Sequence, residues 1–217
     1  MKKQRIAIVA HSHIDWISKK DLESYSFLIG VDRGAFVLLE KGIIPDVAIG
    51  DFDSVTKEEM KEIQTNVKVI QQHPKDKDQT DLELAVTYAL KQNPEEIVLF
   101  GVTGGRLDQS LSAIHLLQKI HKQNCRVVMK DEQNMMMLVS GKCHIPKEEQ
   151  FTYVSILPFT DEISVSIAGC KYPLKKRVMK KGTTLGVSNE IIDDEAEIVI
   201  HQGSAYIISS CDAHACC

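Results

Sequence analysis

Two clusters of aspartates are the residues of this chain best suited to chemistry. Asp51 and Asp53 stand in the segment GDFDS, and Asp76, Asp78 and Asp81 follow in DKDQTD. Carboxylate oxygens suit hard divalent ions, and Mg²⁺ is commonly held by one or two carboxylates together with substrate phosphates. The two clusters therefore predict a site for magnesium and phosphate if they meet in the folded chain.

The sequence around both clusters predicts that they lie at strand ends. A short apolar run, Val47 to Ile49, precedes the first cluster as a buried strand, and in an extended exit Asp51 and Asp53 point the same way. The second cluster follows a strand-like run, and apolar residues at helical spacing come after it: Leu82, Val86, Ala89 and Leu90. In an open α/β sheet such turns lie at the carboxyl edge, where ligands bind.

A structural role is the alternative for these aspartates, and it explains part of the pattern. Thr80 and Glu83 form a capping-box pattern, and acidic residues favour a helix start. A helix N-terminus contributes only about 0.3–1 kcal/mol per anion. Two unpaired carboxylates about 4 Å apart repel by roughly 4 kcal/mol at an effective dielectric constant near 20. Converging clusters therefore favour a bound cation over capping alone.

Composition excludes several classes of protein. The chain has 217 residues, 26% of them charged and 43% hydrophobic, which is typical of a globular protein. A formal net charge of -4 argues against broad binding to nucleic acid or to an anionic membrane. We find no membrane span and no export signal, so the six cysteines are expected to be thiols of a cytoplasmic protein. The tail from Cys211 to Cys217 carries residue types that bind zinc, but chain termini are usually mobile.

The order of apolar segments predicts a protein of class α/β plus all-β. Strand-like runs alternate with helices in the first part: Ile6–Ala10, Phe27–Val31, Val47–Ile49, Val67–Ile70, Ile97–Phe100 and Val127–Met129. This alternation predicts a mostly parallel α/β domain over residues 1–140. Helices are expected at Ala35–Lys41 and along a face formed by Leu111, Ile114, Leu117 and His121. Residues 141–217 contain short alternating runs between glycines and predict a C-terminal β-sandwich.

A glycine-rich turn is the candidate for the phosphate side of the site. Residues 101–110 join the run ending at Phe100 to the next helix, and Gly104 and Gly105 allow backbone amides to approach a phosphate. Arg106 can bind phosphate with its planar fork, and Lys77 adds a compact charge inside the second acidic cluster. Alone, the glycines fit a tight structural turn at least as well, and either cation alone fits a solvated surface charge better. No Walker A motif is present.

Together these segments resemble the thiamine pyrophosphokinase family. The motifs that match are GDFDS at 50–54, KDQTDLE at 77–83 and GGRLDQ at 104–109. In the second half, GCKYPL at 169–174 and GVSNE at 186–190 resemble the C-terminal signature of that family. The likeness covers nearly the whole chain, in order and with suitable spacing.

The resemblance implies an N-terminal α/β nucleotide-binding domain, a C-terminal β-sandwich that binds thiamine, and a homodimer with thiamine at the subunit interface. It also implies Mg²⁺-dependent transfer of pyrophosphate from ATP to thiamine, giving thiamine diphosphate and AMP. Asp51, Asp53, Thr80 and Asp81 would form the catalytic centre, with Mg²⁺ on Asp51, Asp53 and Asp81. Gly104, Gly105, Arg106 and Asp108 would line the ATP site, and Ser188 and Asn189 would face thiamine. The other binding residues implied are Asp32, Lys77, Asp78 and Gln109.

Two positions depart from the family pattern. Arg33 stands where glycine is usual, and Gln109 stands where histidine is common. Two other interpretations stay open. One is a metal-dependent phosphohydrolase or sugar-nucleotide transferase with the same Asp-x-Asp, and the other is a noncatalytic sensor of thiamine or nucleotide.

Overall fold

The structure is a computed structural model that describes residues 4–12 and 14–212. The chain forms two compact units, Met1–Glu132 and Gln133–Cys217. Strand β7 (Asn134–Pro146) runs through residues 140 and 141, where the sequence predicts the domain boundary. The end of the cysteine-rich tail, residues 213–217, lies outside the described residues.

The first unit alternates strands and helices, so the predicted α/β class is confirmed for this part of the chain. Its strands are β1 (Arg5–Val9), β2 (Phe27–Val31), β3 (Val47–Gly50), β4 (Val69–Gln72), β5 (Glu96–Phe100) and β6 (Arg126–Lys130). Its helices are α1 (Lys19–Glu23), α2 (Arg33–Glu40), α3 (Lys57–Asn66), α4 (Asp81–Leu90) and α5 (Leu107–His121). No helix within residues 4–12 and 14–212 combines the length and the apolar character needed to span a membrane.

The six strands of this unit pair in parallel in the order β6-β5-β1-β2-β3-β4. The chain moves from β1 through β2 and β3 to β4, and then returns to β5 on the other side of β1. The reversal between β1 and β5 is a topological switch point, the place where ligands bind in open α/β sheets. The turn after β5 therefore lies on the far side of β1 from the turns after β3 and β4.

Burial explains why these segments form the sheet. In β1, β2, β3 and β5 nearly every side chain is buried, as expected for parallel strands covered by helices on both faces. The fully buried residues of the unit include Ile8, Ile29, Ile49, Leu99, Leu38 and Leu117. The edge strand β4 is polar and partly exposed, and it begins two residues later than predicted because Val67 ends helix α3.

The predicted face of α5 is wrong in detail. Leu111 is 47% exposed, Ile114 is only partly buried, and the buried face consists of Ala113, Leu116, Leu117 and Ile120. A second leucine of this helix, Leu107, is also exposed. Leucines therefore stand on both sides of α5, and their spacing alone does not identify the side that packs on the sheet.

The second unit is built of antiparallel strands, which confirms the all-β class of this region. They are β7, β8 (Tyr153–Pro158), β9 (Glu162–Ala168), β10 (Leu174–Lys180) and β11 (Glu195–Ser210). β11 pairs with β7 along its length, with β9 in its first part and with β8 in its last part. The predicted alternation at Ile163, Val165, Ile167, Ile198 and Ile200 is confirmed, because all five are buried between more exposed neighbours. The arrangement of these strands as a two-layer sandwich stays a prediction.

Candidate active site

Three carboxylates meet at the carboxyl edge of the parallel sheet. One oxygen from each of Asp32, Asp51 and Asp81 lies within 4.8 Å of the other two. Asp32 follows β2, Asp51 follows β3, and Asp81 begins α4. The expected meeting of Asp51 and Asp81 is confirmed, and Asp32, implied by the resemblance as a binding residue, joins them.

The local backbone explains how Asp32 reaches this cluster. Asp32 has φ +48°, a conformation that non-glycine residues rarely adopt and that concentrates at functional sites. Its Oδ1 accepts a hydrogen bond of 3.1 Å from the backbone N–H of Phe52, which also has positive φ. A Cβ on Gly50 would overlap the Asp32 carboxylate. The glycine of GDFDS is therefore required for the approach of Asp32.

Lys77 supplies a positive charge between two members of the cluster. Its Nζ lies 3.0 Å from Asp81 Oδ1 and 3.5 Å from Asp51 Oδ2, and its side chain is 14% exposed. Burial lowers the pKa of Lys77, but the hydrogen bond and charge of Asp81, with the charge of Asp51, raise it above its usual value. The predicted placement of Lys77 beside the acidic site is therefore observed.

The carboxylate cluster fits a hard divalent cation. Its donors are all carboxylate oxygens, the ligands that Mg²⁺ prefers. Asp81 Oδ1 is buried and, within the described residues, accepts no well-directed hydrogen bond beyond its ion pair with Lys77. Burial, followed by the charge of Asp81, raises the pKa of Asp32 to about 6. These features indicate more negative charge than one ammonium group can balance.

Asp53 lies beside the cluster but points to a different partner. Its carboxylate is 49% exposed and pairs with Lys75 at 2.7 Å, and this hydrogen bond and charge lower the pKa of Asp53. Its backbone N–H donates to Asp51 Oδ1 at 3.0 Å. Its role as a metal ligand stays a prediction.

Thr80 and Asp78 flank the start of α4. Thr80 is the N-cap, and its side chain accepts a hydrogen bond from the backbone N–H of Glu83. The Glu83 carboxylate does not complete the capping box, because it accepts from Gln79 and from Lys119 instead. Asp78 is exposed.

The glycine turn joins β5 to α5, as the sequence predicts. Gly104 and Gly105 both have positive φ, and the turn leads directly into α5. Arg106 pairs with Asp108 through two hydrogen bonds of 3.1 and 2.6 Å, and both side chains are largely exposed, as is Gln109. Since β5 and β3 are three strand spacings apart, this turn lies roughly 14 Å across the edge from the turn that carries Asp51.

Arg33 makes contacts with Glu59 and His11 that the sequence did not predict. Its Nε and Nη2 donate to Glu59 Oε1 at 3.1 and 2.8 Å, and its Nη1 lies 3.3 Å from His11 Nε2. Glu59 completes the capping box of α3 with Thr56. The hydrogen bond from the backbone N–H of Thr56 to the Glu59 carboxylate is the main cause that lowers the pKa of Glu59. The only feature of the sequence that pointed to these contacts is that arginine replaces the usual glycine at position 33.

In the second unit, Asn189 is buried and Ser188 is exposed. The Asn189 side chain donates to the carbonyl of Tyr172 at 2.9 Å and accepts from the backbone N–H groups of Tyr172 and Glu190. Ser188 has φ +58°, and its N–H donates to Ser155 Oγ. Asn189 thus orders the loop that carries Tyr172, whose side chain is 59% exposed.

A cavity of about 250 Å³ lies in the same unit, next to this loop. Its lining includes the acidic residues Glu148, Glu149 and Glu190 and the aromatic residues Phe151 and Tyr153. Lys147 also lines the cavity, so charges of both signs stand next to its aromatic side chains.

Comparison with known proteins relates both units to one family. The family model described as the thiamin pyrophosphokinase catalytic domain matches residues 18–129, and the thiamin pyrophosphokinase vitamin B1 binding domain matches residues 142–206. The chain belongs to the thiamin pyrophosphokinase family. Thiamine pyrophosphokinase of Bacillus subtilis is 39% identical over 192 residues, which is 88% of this chain and 90% of the relative. Thiamin pyrophosphokinase 1 of Caenorhabditis elegans is 29% identical over 76% of this chain and 69% of its own length.

Solved structures of family members have the same fold. The crystal structure of thiamine pyrophosphokinase from Bacillus subtilis superimposes with a TM-score of 0.88 at 35% identity, covering 96% of this chain and all of that one. The thiamin pyrophosphokinase from Geobacillus thermodenitrificans gives a TM-score of 0.86 at 31% identity, covering 99% of this chain and 100% of that chain. The family resemblance predicted from the short motifs is therefore confirmed.

Proposed function

We propose that this protein transfers the pyrophosphoryl group of ATP to the hydroxyl of thiamine and releases thiamine diphosphate and AMP. One observation carries the proposal: Asp32, Asp51 and Asp81 meet at the carboxyl edge of a parallel sheet, in a member of the thiamin pyrophosphokinase family. Each pair of unit charges about 4 Å apart repels by roughly 4 kcal/mol at an effective dielectric constant near 20. A divalent cation with bound phosphates relieves that repulsion.

Mg²⁺ is the ion that we propose for this cluster. Asp51, Asp53 and Asp81 would hold it, as the family resemblance implies, and Asp32 is a further carboxylate available to it. The ion pair of Asp53 with Lys75 is exposed, so it contributes only about 0–1 kcal/mol and does not prevent Asp53 from turning to a metal. Bound there, Mg²⁺ would neutralise charge on the phosphate oxygens.

The side chains of the site position the reactants and balance charge. The thiamine hydroxyl oxygen would form a bond to the β-phosphorus of ATP while the bond from that phosphorus to the oxygen of the AMP group breaks. The hydroxyl proton would be released to solvent. Such a reaction needs little covalent help from protein groups, so orientation and charge neutralisation dominate. Lys77 stands within the carboxylate cluster, and Arg106 stands on the exposed turn after β5, where each could contact phosphate oxygens.

We further propose that the loop ordered by Asn189 binds thiamine in a homodimer. Several side chains near it are apolar and exposed: Tyr172, Leu185, Val187 and Ile192. The Lys171 ammonium lies 5.8 Å from the centre of the Tyr172 ring, so this aromatic face already accommodates a cation. Thiamine carries a cationic aromatic ring of suitable size, and Ser188 would face it together with Tyr172.

The products of the reaction test this proposal. Purified protein incubated with ATP, thiamine and MgCl₂ should form thiamine diphosphate and AMP in equal amounts, measured by chromatography with mass detection. ADP as the product, or inorganic phosphate without thiamine, would contradict the proposed transfer. Asp81→Asn should lower turnover by about 10²–10³-fold, the loss typical of removing one group that stabilises transition-state charge. Asp15→Asn, at an exposed aspartate outside the cluster, is the matched control.

A further inference from the structure

We propose that Arg33, held by Glu59 and flanked by His11, contacts the phosphate groups of the nucleotide. This inference rests on the proposed function, because it assigns a new residue to its nucleotide site. The family usually has glycine at this position, so the contact would belong to this chain and to relatives that share the arginine.

The location of Arg33 is the first argument. The start of α2 packs directly on the end of β1, since a Cβ on Gly34 would overlap the carbonyl oxygen of Val9. Arg33 therefore reaches His11, two residues beyond β1, at the switch point between β1 and β5. The glycine turn lies on one side of this point, and the carboxylate cluster lies on the other. A nucleotide that spans both would pass over the exits of β1 and β2, where His11 and Arg33 stand.

The hydrogen bonds of the guanidinium group are the second argument. Arginine has five N–H donors. The contacts with Glu59 and His11 use three of them, and the other two have no partner within the described residues. The side chain is 39% exposed, so these donors are accessible. Because the guanidinium group only donates, His11 Nε2 accepts, and Nδ1 carries the ring proton as a further donor.

The rigidity of the pair is the third argument. The Glu59 side chain is 11% exposed and receives hydrogen bonds from Arg33 and from the backbone N–H of Thr56, so two elements fix it. Arg33 is therefore held in one orientation before any ligand binds. The neighbouring carboxylates repel a triphosphate, and Lys77 is already paired with two of them. Arg33 still offers two further guanidinium N–H donors, a kind of donor that suits phosphate oxygens.

A purely structural clamp between α2 and α3 is the competing explanation, and two variants separate it from the proposal. Arg33→Met removes the guanidinium group and the ion pair. Glu59→Gln breaks the same ion pair but keeps the guanidinium group, and glutamine can still complete the capping box. Both variants should be compared with the wild type in steady-state kinetics and in calorimetric titration with a nonhydrolysable ATP analogue and Mg²⁺.

We expect Arg33→Met to raise the KM for ATP and the Kd for the analogue by about 10–100-fold, the loss expected for charge-assisted hydrogen bonds to phosphate. The KM for thiamine should not change. Glu59→Gln should raise the KM for ATP by only about threefold, because Arg33 loses order but keeps its donors. Equal changes in the two variants, or no change in either, would overturn the proposal and leave only the clamp.

Arg33→Lys keeps the experiment decisive if Arg33→Met does not fold. Lysine retains the charge without the fork, so the KM for ATP should rise by roughly 3–10-fold, and an unchanged value would overturn the proposal. Failure of the proposed function is distinguishable from failure of this inference. A wild type that forms no thiamine diphosphate would refute the proposed reaction, whereas the titration alone decides whether Arg33 contacts nucleotide.

Discussion

Replacement of Asp32 by asparagine should make the metal-free protein more stable while impairing the proposed metal site. Asp32 is partly buried among the carboxylates of Asp51 and Asp81. Burial and the charge of Asp81 raise its pKa from the usual 3.8 to about 6. Asparagine keeps the shape, tolerates positive φ and can accept the hydrogen bond from Phe52 N–H, so the substitution mainly removes one charge.

The magnitude follows from the difference between the two pKa values. The difference between 3.8 and about 6 corresponds to about 3 kcal/mol at about 1.4 kcal/mol per pH unit. Water screens a carboxyl that is only partly buried, so we expect about 1–2 kcal/mol. Because the folded pKa is raised, the wild type should gain stability as the pH falls from about 6 to about 4, and the variant should lack this gain.

Urea unfolding in EDTA at pH 7.5 and at pH 4.5 measures this effect. Asp32→Asn should have the higher free energy of unfolding at pH 7.5, and the difference should shrink at pH 4.5. Asp53→Asn is the matched control with the opposite sign, because Lys75 lowers the pKa of Asp53 and its charge is therefore favourable in the folded state. With Mg²⁺ and ATP present, the wild type should be stabilised more than Asp32→Asn. A variant that is less stable at pH 7.5, or a difference independent of pH, would refute this reasoning.

Three further predictions concern other parts of the first unit. Asp53→Asn should lower turnover in steady-state assays by about 10²-fold or more if that carboxylate binds the metal. Lys75→Ala should change turnover by less than about threefold, because an exposed ion pair contributes little. Equal losses in the two variants would show that the ion pair itself matters. Gly50→Ala should displace the Asp32 carboxylate and lower turnover by about 10²-fold. Circular dichroism should show that the fold is retained. Full activity would contradict the close approach of Asp32 to Gly50. Glu96→Gln should lower the free energy of unfolding by about 1–3 kcal/mol in urea titrations, because Glu96 is buried and pairs with the partly exposed Arg5 and Arg126. An unchanged value would show that these pairs do not stabilise the sheet.

Much of the first unit could be predicted because parallel strands buried on both faces are continuous apolar runs. β2 has the bounds expected from the sequence, Phe27–Val31, and β1, β3, β5 and β6 differ by one or two residues at their ends. The start of β4 and the buried face of α5 were less predictable. Val67 is apolar and extended but ends a helix, and α5 carries leucines on its exposed side as well as its buried side.

The motifs of the site could be identified from the sequence, but some of their contacts could not. The spacing of the aspartates indicates strand ends, and the structure brings Asp51 and Asp81 together as expected. The participation of Asp32 depends on the strand order and on its positive φ, and neither has a local periodic signal. The contact of Arg33 with His11 likewise depends on the close packing of α2 on β1.

Lys77 also bears on how the protein folds in the absence of metal. Its ammonium group balances part of the charge of Asp51 and Asp81 from within the chain. We therefore expect the chain to fold without metal, because Lys77 offsets part of the repulsion between these carboxylates. Binding of the proposed metal would then displace the Lys77 ammonium group, and chelating agents should abolish activity without unfolding the protein.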